Sequence, residues 1–353
     1  MRRTSSTPSC SSSSADRPPT VTSTGRPAYR VTPNAFGMPF GICGLAQVWS
    51  TAHAVAGVPR WPADTLWVAA ACVWLATLIW YAGNVIRGGR LRTELTDPVF
   101  APFTSLIVVV PMLLGIALGG HAEAAGEIVF MVTLVLTVAV GGWLSGEWII
   151  ADLNLTQWHP GYFLPTVAGG LIAAGGSAYF GHDLLARVMF GYGMVCWLVL
   201  GSIILARLFT APALPMALRP TIAIEVAPPV VAGNAWFLIN GGHLDAIAAG
   251  LAGYAVLMAV VQLRMIPVYR QVPFGPGWWA YSFSYAAAVT LAISWLGAEH
   301  VPGRTAWVAV LLAMLTLAIA ALAVRTAQRL AQGNYMPAAE PDPAHRPAQD
   351  LPR

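Results

Sequence analysis

Ten apolar stretches poor in charge fill most of this chain, at 33–55, 63–87, 97–119, 124–150, 160–180, 184–208, 219–240, 244–267, 276–297 and 303–328. A helix needs about 20 apolar residues to cross the hydrocarbon core of a bilayer. Their number and length predict an all-α integral membrane protein with ten transmembrane helices. The links between them are short, so consecutive helices are expected to be antiparallel neighbours, with no soluble domain between them. Only 10% of the 353 residues are charged and the mean hydropathy is +0.64. A soluble chain carries roughly 25% charge, so too little charge remains here to coat a water-facing surface.

The arginines give the orientation. All nineteen basic residues are Arg. With the N-terminus placed in the cytoplasm, sixteen fall on that side, in the N-terminal segment, alternate loops and the C-terminal end. Only Arg60, Arg187 and Arg304 fall on the other. Cytoplasmic loops of membrane proteins carry the excess of basic residues. A miscounted span would reverse every later loop, so the split predicts ten spans with both termini cytoplasmic, in a plasma membrane of bacterial type.

Residues 1–31 are rich in Ser, Thr, Arg and Pro and lack the apolar core of a signal peptide. They are expected to be a disordered cytoplasmic tail, as is the segment 331–353, leaving 32–330 as the membrane domain. Cys10, Cys43, Cys72 and Cys196 are far apart and form no CxxC, which suggests neither a disulfide framework nor a metal site. The arginines sit in short loops rather than on a basic face, so a nucleic-acid partner is not expected. No GxSxG, HExxH, Walker A or dinucleotide pattern occurs. The chain reads as a non-enzyme with no cofactor.

A weaker period runs through the apolar stretches. The first, third, fifth and seventh each carry an interior proline: Pro39, Pro111, Pro165 and Pro228. Proline removes a backbone hydrogen bond and kinks a helix. In lipid the freed carbonyl needs a protein or water partner. The odd helices are therefore expected to be an inner, protected set and the even ones a straight outer set. Gly37, Gly41 and Gly44 stand at spacings of four and three in the first stretch. Small residues there allow close helix approach, either in ordinary packing or along a pore.

Several stretches, in this order, resemble one known family. They are FGMPFGICGLAQVW at 36–49, HPGYFLPTVAGG at 159–170, FGYGMVCW at 190–197, RPTIAIEVAPPVVAGNAWFLINGG at 219–242 and WAYSFSYAAA at 279–288. The chain resembles, over roughly 33–328, the tellurite-resistance and C4-dicarboxylate transporter (TDT) family. That family includes bacterial TehA proteins, fungal malate and sulfite permeases and the slow anion channels of plant guard cells. The resemblance implies five helical hairpins around a central pore in each subunit, with the odd helices lining it, and a homotrimer in the lipid bilayer. It also implies passage of small inorganic or carboxylate anions. A phenylalanine plugs the family's pore midway, and WAYSFSY places it at Phe283. The family's inner-helix prolines fall on Pro39, Pro111, Pro165 and Pro228.

An apolar plug blocks ions because they must shed water with nothing to replace it. Glu225 lies one turn before Pro228, inside the seventh stretch, where ionisable residues are costly. Two readings of it stay open: a proton-binding site in coupled transport, or an ion pair with Arg219 or an arginine of a neighbouring helix. His159 is expected to start the fifth helix, and Asn240 and Asp245 to cap and turn the seventh-to-eighth hairpin. Two functions follow: an anion channel or permease gated by Phe283, and, as the alternative, a proton-coupled carrier for C4-dicarboxylate, sulfite or tellurite-type oxyanions.

Overall fold

The computed structural model describes residues 31–88 and 91–336. Most of the two expected tails, together with Arg90, lies outside the described residues. Among the described residues all regular structure is helical, with no strand. Eleven α-helices follow in order: α1 Gly37–Ala56, α2 Trp61–Gly88, α3 Leu91–Thr96, α4 Leu106–Gly119, α5 Glu123–Ile150, α6 Gly169–Tyr179, α7 Asp183–Thr210, α8 Ala227–Ile239, α9 Ala246–Tyr269, α10 Ala280–Ala298 and α11 Arg304–Ala331.

Among the described residues, seven helical stretches are long and apolar enough to cross a membrane: Trp61–Gly88, Ala101–Gly119, Glu123–Ile150, Asp183–Thr210, Met216–Ile239, Ala246–Tyr269 and Arg304–Ala331. Three of the ten predicted runs are not among them. Those runs fall on α1, on α6 with the turns before it, and on α10. The segment of α6 is broken by non-α turns, and all three carry glycine and polar residues on faces that pack against protein.

The α-helices fall into two sets with different starts. Before each of α1, α4, α6, α8 and α10 the chain makes a non-α turn: 3-10 over Pro33–Phe36, Ala101–Ser105, Met216–Val226 and Pro276–Trp279, and π over Leu164–Ala168. In contrast, α2, α5, α7, α9 and α11 run unbroken for 24 or 28 residues. Proline explains part of this. Pro39 is the third residue of α1, Pro165 sits in the π-type turn before α6, and Pro228 is the second residue of α8. In a first turn the missing N–H has no intrahelical partner to lose. Of these four prolines only Pro111 is interior to its helix, α4, while among the long helices Pro267 lies in the last turn of α9.

The sets also differ in burial. In Ala101–Gly119 and Met216–Ile239 the most apolar window is 61% and 67% buried, against 33% or less in the other five long stretches. Contacts run from α1 to α4, α4 to α6, α6 to α8 and α8 to α10, and α10 closes on α1. Each member of this ring also packs on the long helix that follows it. Glycine makes two of these approaches possible. A Cβ on Gly126 of α5 would meet the backbone of Gly119, and one on Gly41 of α1 would meet the Ser282 hydroxyl of α10.

Candidate functional site: two vestibules ending on one phenyl ring

Two cavities lie inside the ring of α1, α4, α6, α8 and α10. The near vestibule, of about 560 Å³, opens at the end where the described chain both begins and stops, and Thr32 and Met336 both line it. Its walls are largely apolar, with Phe40, Phe103, Phe163, Ile224 and Val231. The far vestibule, of about 710 Å³, is lined by Gln47, Ser50, Thr51, Asn234 and Ser294 as well as by apolar groups. Arg60, Asp64 and His121 stand at its rim.

Three residues line both cavities: Leu171 of α6, Val231 of α8 and Phe283 of α10. Phe283 is 5% exposed. Its ring stacks on Phe40 of α1, with centroids 3.7 Å apart and planes 15° from parallel. Local structure explains why this ring reaches the axis. Gly44 lets α10 approach α1 so closely that a Cβ there would lie 2.9 Å from the Ala286 Cβ and 3.2 Å from the Phe283 ring. The Ser282 hydroxyl donates to the Trp279 carbonyl (2.6 Å) and faces Gly41. Ser284 lines the near vestibule beside Phe283.

The flanking tyrosines point elsewhere. Tyr281 packs on Tyr269 of α9, with centroids 5.0 Å apart, and Tyr285 donates to the Gln262 side chain of α9 (3.2 Å). Residues two apart on a helix do not share a face.

Pro228 lines the near vestibule, whereas Pro39, Pro111 and Pro165 line neither cavity. Gly37 is in the near wall, while Gly41 and Gly44 serve the α1–α10 approach. Glu225 is 5% exposed and lines neither cavity. Its expected partner is engaged elsewhere: Arg219 Nε donates to the Leu214 carbonyl (3.2 Å), and no ion pair joins it to Glu225 among the described residues. One carboxylate oxygen of Glu225 is buried without a hydrogen-bond partner. Glu225 lies in the 3-10 turn over Met216–Val226. That turn advances the chain by about three residues per turn rather than 3.6, so an α-helical estimate of where Glu225 points does not apply.

At the caps, the His159 ring accepts from the Gly161 N–H (3.2 Å) and starts the 3-10 turn Pro160–Tyr162, which precedes the π-type turn before α6. Asp245 accepts from the Ala248 N–H (2.8 Å) and caps α9, and Asn240 donates to the His243 carbonyl (2.7 Å). Hydrogen bonding from Ala248 holds the exposed Asp245 carboxyl below the usual carboxylate range.

Residues 30–327 match the family model described as SLAC1, voltage-dependent anion channel. The chain belongs to the SLAC1 family. Among curated proteins it is 26% identical over 302 residues to the tellurite resistance protein TehA homolog of Haemophilus influenzae, covering 85% of this chain and 91% of that protein. It is 25% identical over 315 residues to the S-type anion channel SLAH3 of Arabidopsis thaliana, covering 83% of this chain and 47% of that protein. An uncharacterized transporter of Methanocaldococcus jannaschii is 23% identical over 263 residues, covering 65% of this chain and 73% of the transporter. As a SLAC1-family chain it is a helical membrane protein of a group of channels and transporters, and the TDT resemblance names the same group.

Phe40, Leu171 and Val231 were not singled out from the sequence. Each is an ordinary apolar residue on an apolar helix, and only the stacking on Phe283 or the lining of both cavities distinguishes it. The Arg60–Asp64–His121 cluster was missed for a different reason. Arg60 and Asp64 share one helical face at a spacing of four, a visible signal, but His121 arrives from another hairpin.

Proposed function

We propose that this SLAC1-family chain is an anion channel whose conducting path runs down the ring axis and is gated by Phe283. The observation that carries this reading is that both vestibules end on the same phenyl ring. Phe40, Leu171 and Val231 complete an apolar constriction, where a small anion would lose its hydration shell without replacement. Ten membrane crossings follow from the same arrangement. The seven long apolar stretches cross by composition, and α1, α6 and α10 cross as inner helices whose glycines and polar groups are sheltered from lipid.

The near vestibule faces the cytoplasm in this proposal. The outer helices start at the far rim and end at the near one, so Arg87, Arg207, Arg264 and Arg325 collect at the near end, in keeping with the positive-inside rule. The setting is a bacterial-type plasma membrane. The family resemblance supports a homotrimer with one pore in each subunit, and a small inorganic or carboxylate anion as the conducted species.

The test is current through the purified protein in lipid bilayers. Phe283→Ala is expected to give large, constitutive anion current and Phe283→Leu less, while Tyr281→Ala and Tyr285→Ala stay closed. A silent Phe283→Ala in a protein shown to be folded in the bilayer removes the gate. The second reading, a proton-coupled oxyanion carrier, is favoured by one feature, the buried Glu225 with its unpartnered oxygen. Uptake that requires a proton gradient and is lost in Glu225→Gln would support it.

A further inference from the structure

The polar groups on the far wall do not all offer the same chemistry. Ser50, Thr51 and Ser294 line the far vestibule. Each hydroxyl donates to the carbonyl four residues back in its own helix, that of Ala46, Gln47 and Thr290, at 3.0 Å. Hydroxyls bonded in this way turn lone pairs, not hydrogens, to their surroundings. Trp67 gives its indole N–H to Ser50 (3.3 Å). Two side-chain amides differ. Asn234 of α8 donates from Nδ2 to the Ala287 carbonyl of α10 (2.9 Å), while its Oδ1 is buried without a partner. Only the NH2 end of an amide can face a carbonyl, so this bond fixes the orientation and leaves one N–H free. With the oxygen buried, that nitrogen is the polar edge left for the vestibule. Gln47 of α1 is half-buried in the same wall, and its side-chain amide makes no hydrogen bond among the described residues.

The depth of the two amides matters. Gln47 comes one turn after Gly44, whose missing side chain makes room for the Phe283 ring. Asn234 comes one turn after Val231 of the constriction, and Ala287 one turn after Phe283. Both amides therefore stand a turn beyond the ring, roughly 5 Å along the axis, with Arg60 and His121 farther out at the rim. We propose that Gln47 and Asn234 form a neutral two-amide site that coordinates a small monovalent anion just beyond Phe283. An anion that sheds water at an apolar constriction needs hydrogen-bond donors to replace it, and on this stretch of wall the two amides supply them. The near side of the ring offers Ser284 instead, whose hydroxyl donates to the Ala280 carbonyl (3.4 Å). Because the pair carries no charge, it replaces part of the hydration of a monovalent anion. It replaces little of that of a dianion, whose hydration grows with the square of its charge.

This inference rests on the channel reading, and the experiment separates the two. Phe283→Ala channels in planar bilayers are placed in a potassium chloride gradient at neutral pH, and conductance and reversal potential are recorded. In that background Gln47→Met, which breaks no hydrogen bond, and Asn234→Leu are each expected to lower chloride conductance by about three- to ten-fold, the scale of one net hydrogen bond. The reversal potential should move toward that of potassium, a change that loosened packing alone does not produce. Gln47→Glu keeps the size of the side chain but, once ionised, offers acceptor oxygens alone. It should lower chloride current at least as far as Gln47→Met. Sulfate should carry at least about ten-fold less current than chloride. Conductance and reversal potential untouched by Gln47→Met and Asn234→Leu overturn the amide site and leave the gate standing. A loss in Gln47→Met that Gln47→Glu does not share assigns the effect to packing and overturns the site too. Sulfate current equal to chloride current overturns the preference for a monovalent anion. A silent Phe283→Ala protein, shown to be folded in the bilayer, removes the channel reading and this site with it.

Discussion

The inner and outer helices of this protein are built from similar apolar residues, yet they differ in almost every structural respect. Inner segments begin with non-α turns, each of the five with a proline in it, and are buried against one another and against the long helix that follows each. Outer helices are long and continuous, and they leave Ile79, Val135, Leu198, Val256 and Leu317 more than half exposed. The difference teaches where irregular backbone is tolerated in a membrane. A carbonyl freed by a turn or a proline is costly against lipid and acceptable against protein or a water-filled vestibule. Close packing adds a second difference, since glycines of the inner set touch a neighbour where many glycines of the outer set face open space.

The sharpest way to break this comparison is to shrink one inner ring. Phe283→Ala is expected to raise anion conductance by roughly ten-fold or more, because an apolar constriction blocks by dewetting and steric width. The same truncation at Val135 on an outer helix should leave conductance unchanged. Bilayer recordings of both variants decide it, and equal effects would dissolve the inner–outer distinction.

Packing gives the next largest effect. Gly41→Val drives a side chain into Ser282 and Trp279 and is expected to cost about 1–3 kcal/mol, the usual penalty of overpacking. Gly250→Ala on α9 meets nothing within 4 Å and should be neutral or raise stability by about 0.5–1 kcal/mol, since alanine is the better helix former. Melting in detergent compares the two, and a tolerated Gly41→Val would show that α1 and α10 are not tightly apposed.

Glu225 tests whether an inner segment can carry function away from the axis. Because it lines neither vestibule, Glu225→Gln should leave anion flux and its pH dependence within about two-fold of the parent protein, the isosteric amide replacing a carboxyl that lies off the conducting path. A larger loss, confined to proton-driven uptake, would favour the carrier instead.

The smallest effect concerns an outer helix. The Asp245 carboxyl is held below its ordinary range by the Ala248 N–H, and the α9 cap is expected to be fully in place above the ordinary carboxylate range. As pH falls through the lowered value the carboxylate protonates and this contribution is lost. Asp245→Ala should lower the melting temperature slightly at neutral pH and not at all at strongly acidic pH. A difference that persists in acid would mean that the carboxylate is not the capping group.

Much of this architecture was legible in the residues. Pro111 and Pro228 marked two segments that prove mostly buried, and the WAYSFSY stretch led to the one ring that both vestibules share. The direction of Glu225 was not legible, because a 3-10 turn sets its phase and no local pattern announces that turn over eleven residues. The partner of Arg219 was equally hidden. A carbonyl five residues back accepts from its Nε–H, and backbone acceptors leave no trace in side-chain identity.

The sequence by itself determined the helical class, the membrane setting and the alternation of protected and exposed segments, because hydropathy, charge and proline act within one or two turns of chain. Only the tertiary structure decided which side chains meet. Phe40 and Phe283 stack across 243 positions of sequence, and Arg60 reaches His121 across 61. Such contacts depend on how α1 closes against α10 and how one hairpin leans on the next. Those approaches are set by glycine gaps and by packing summed over the whole ring, where each contact is worth little alone and no single segment encodes the outcome.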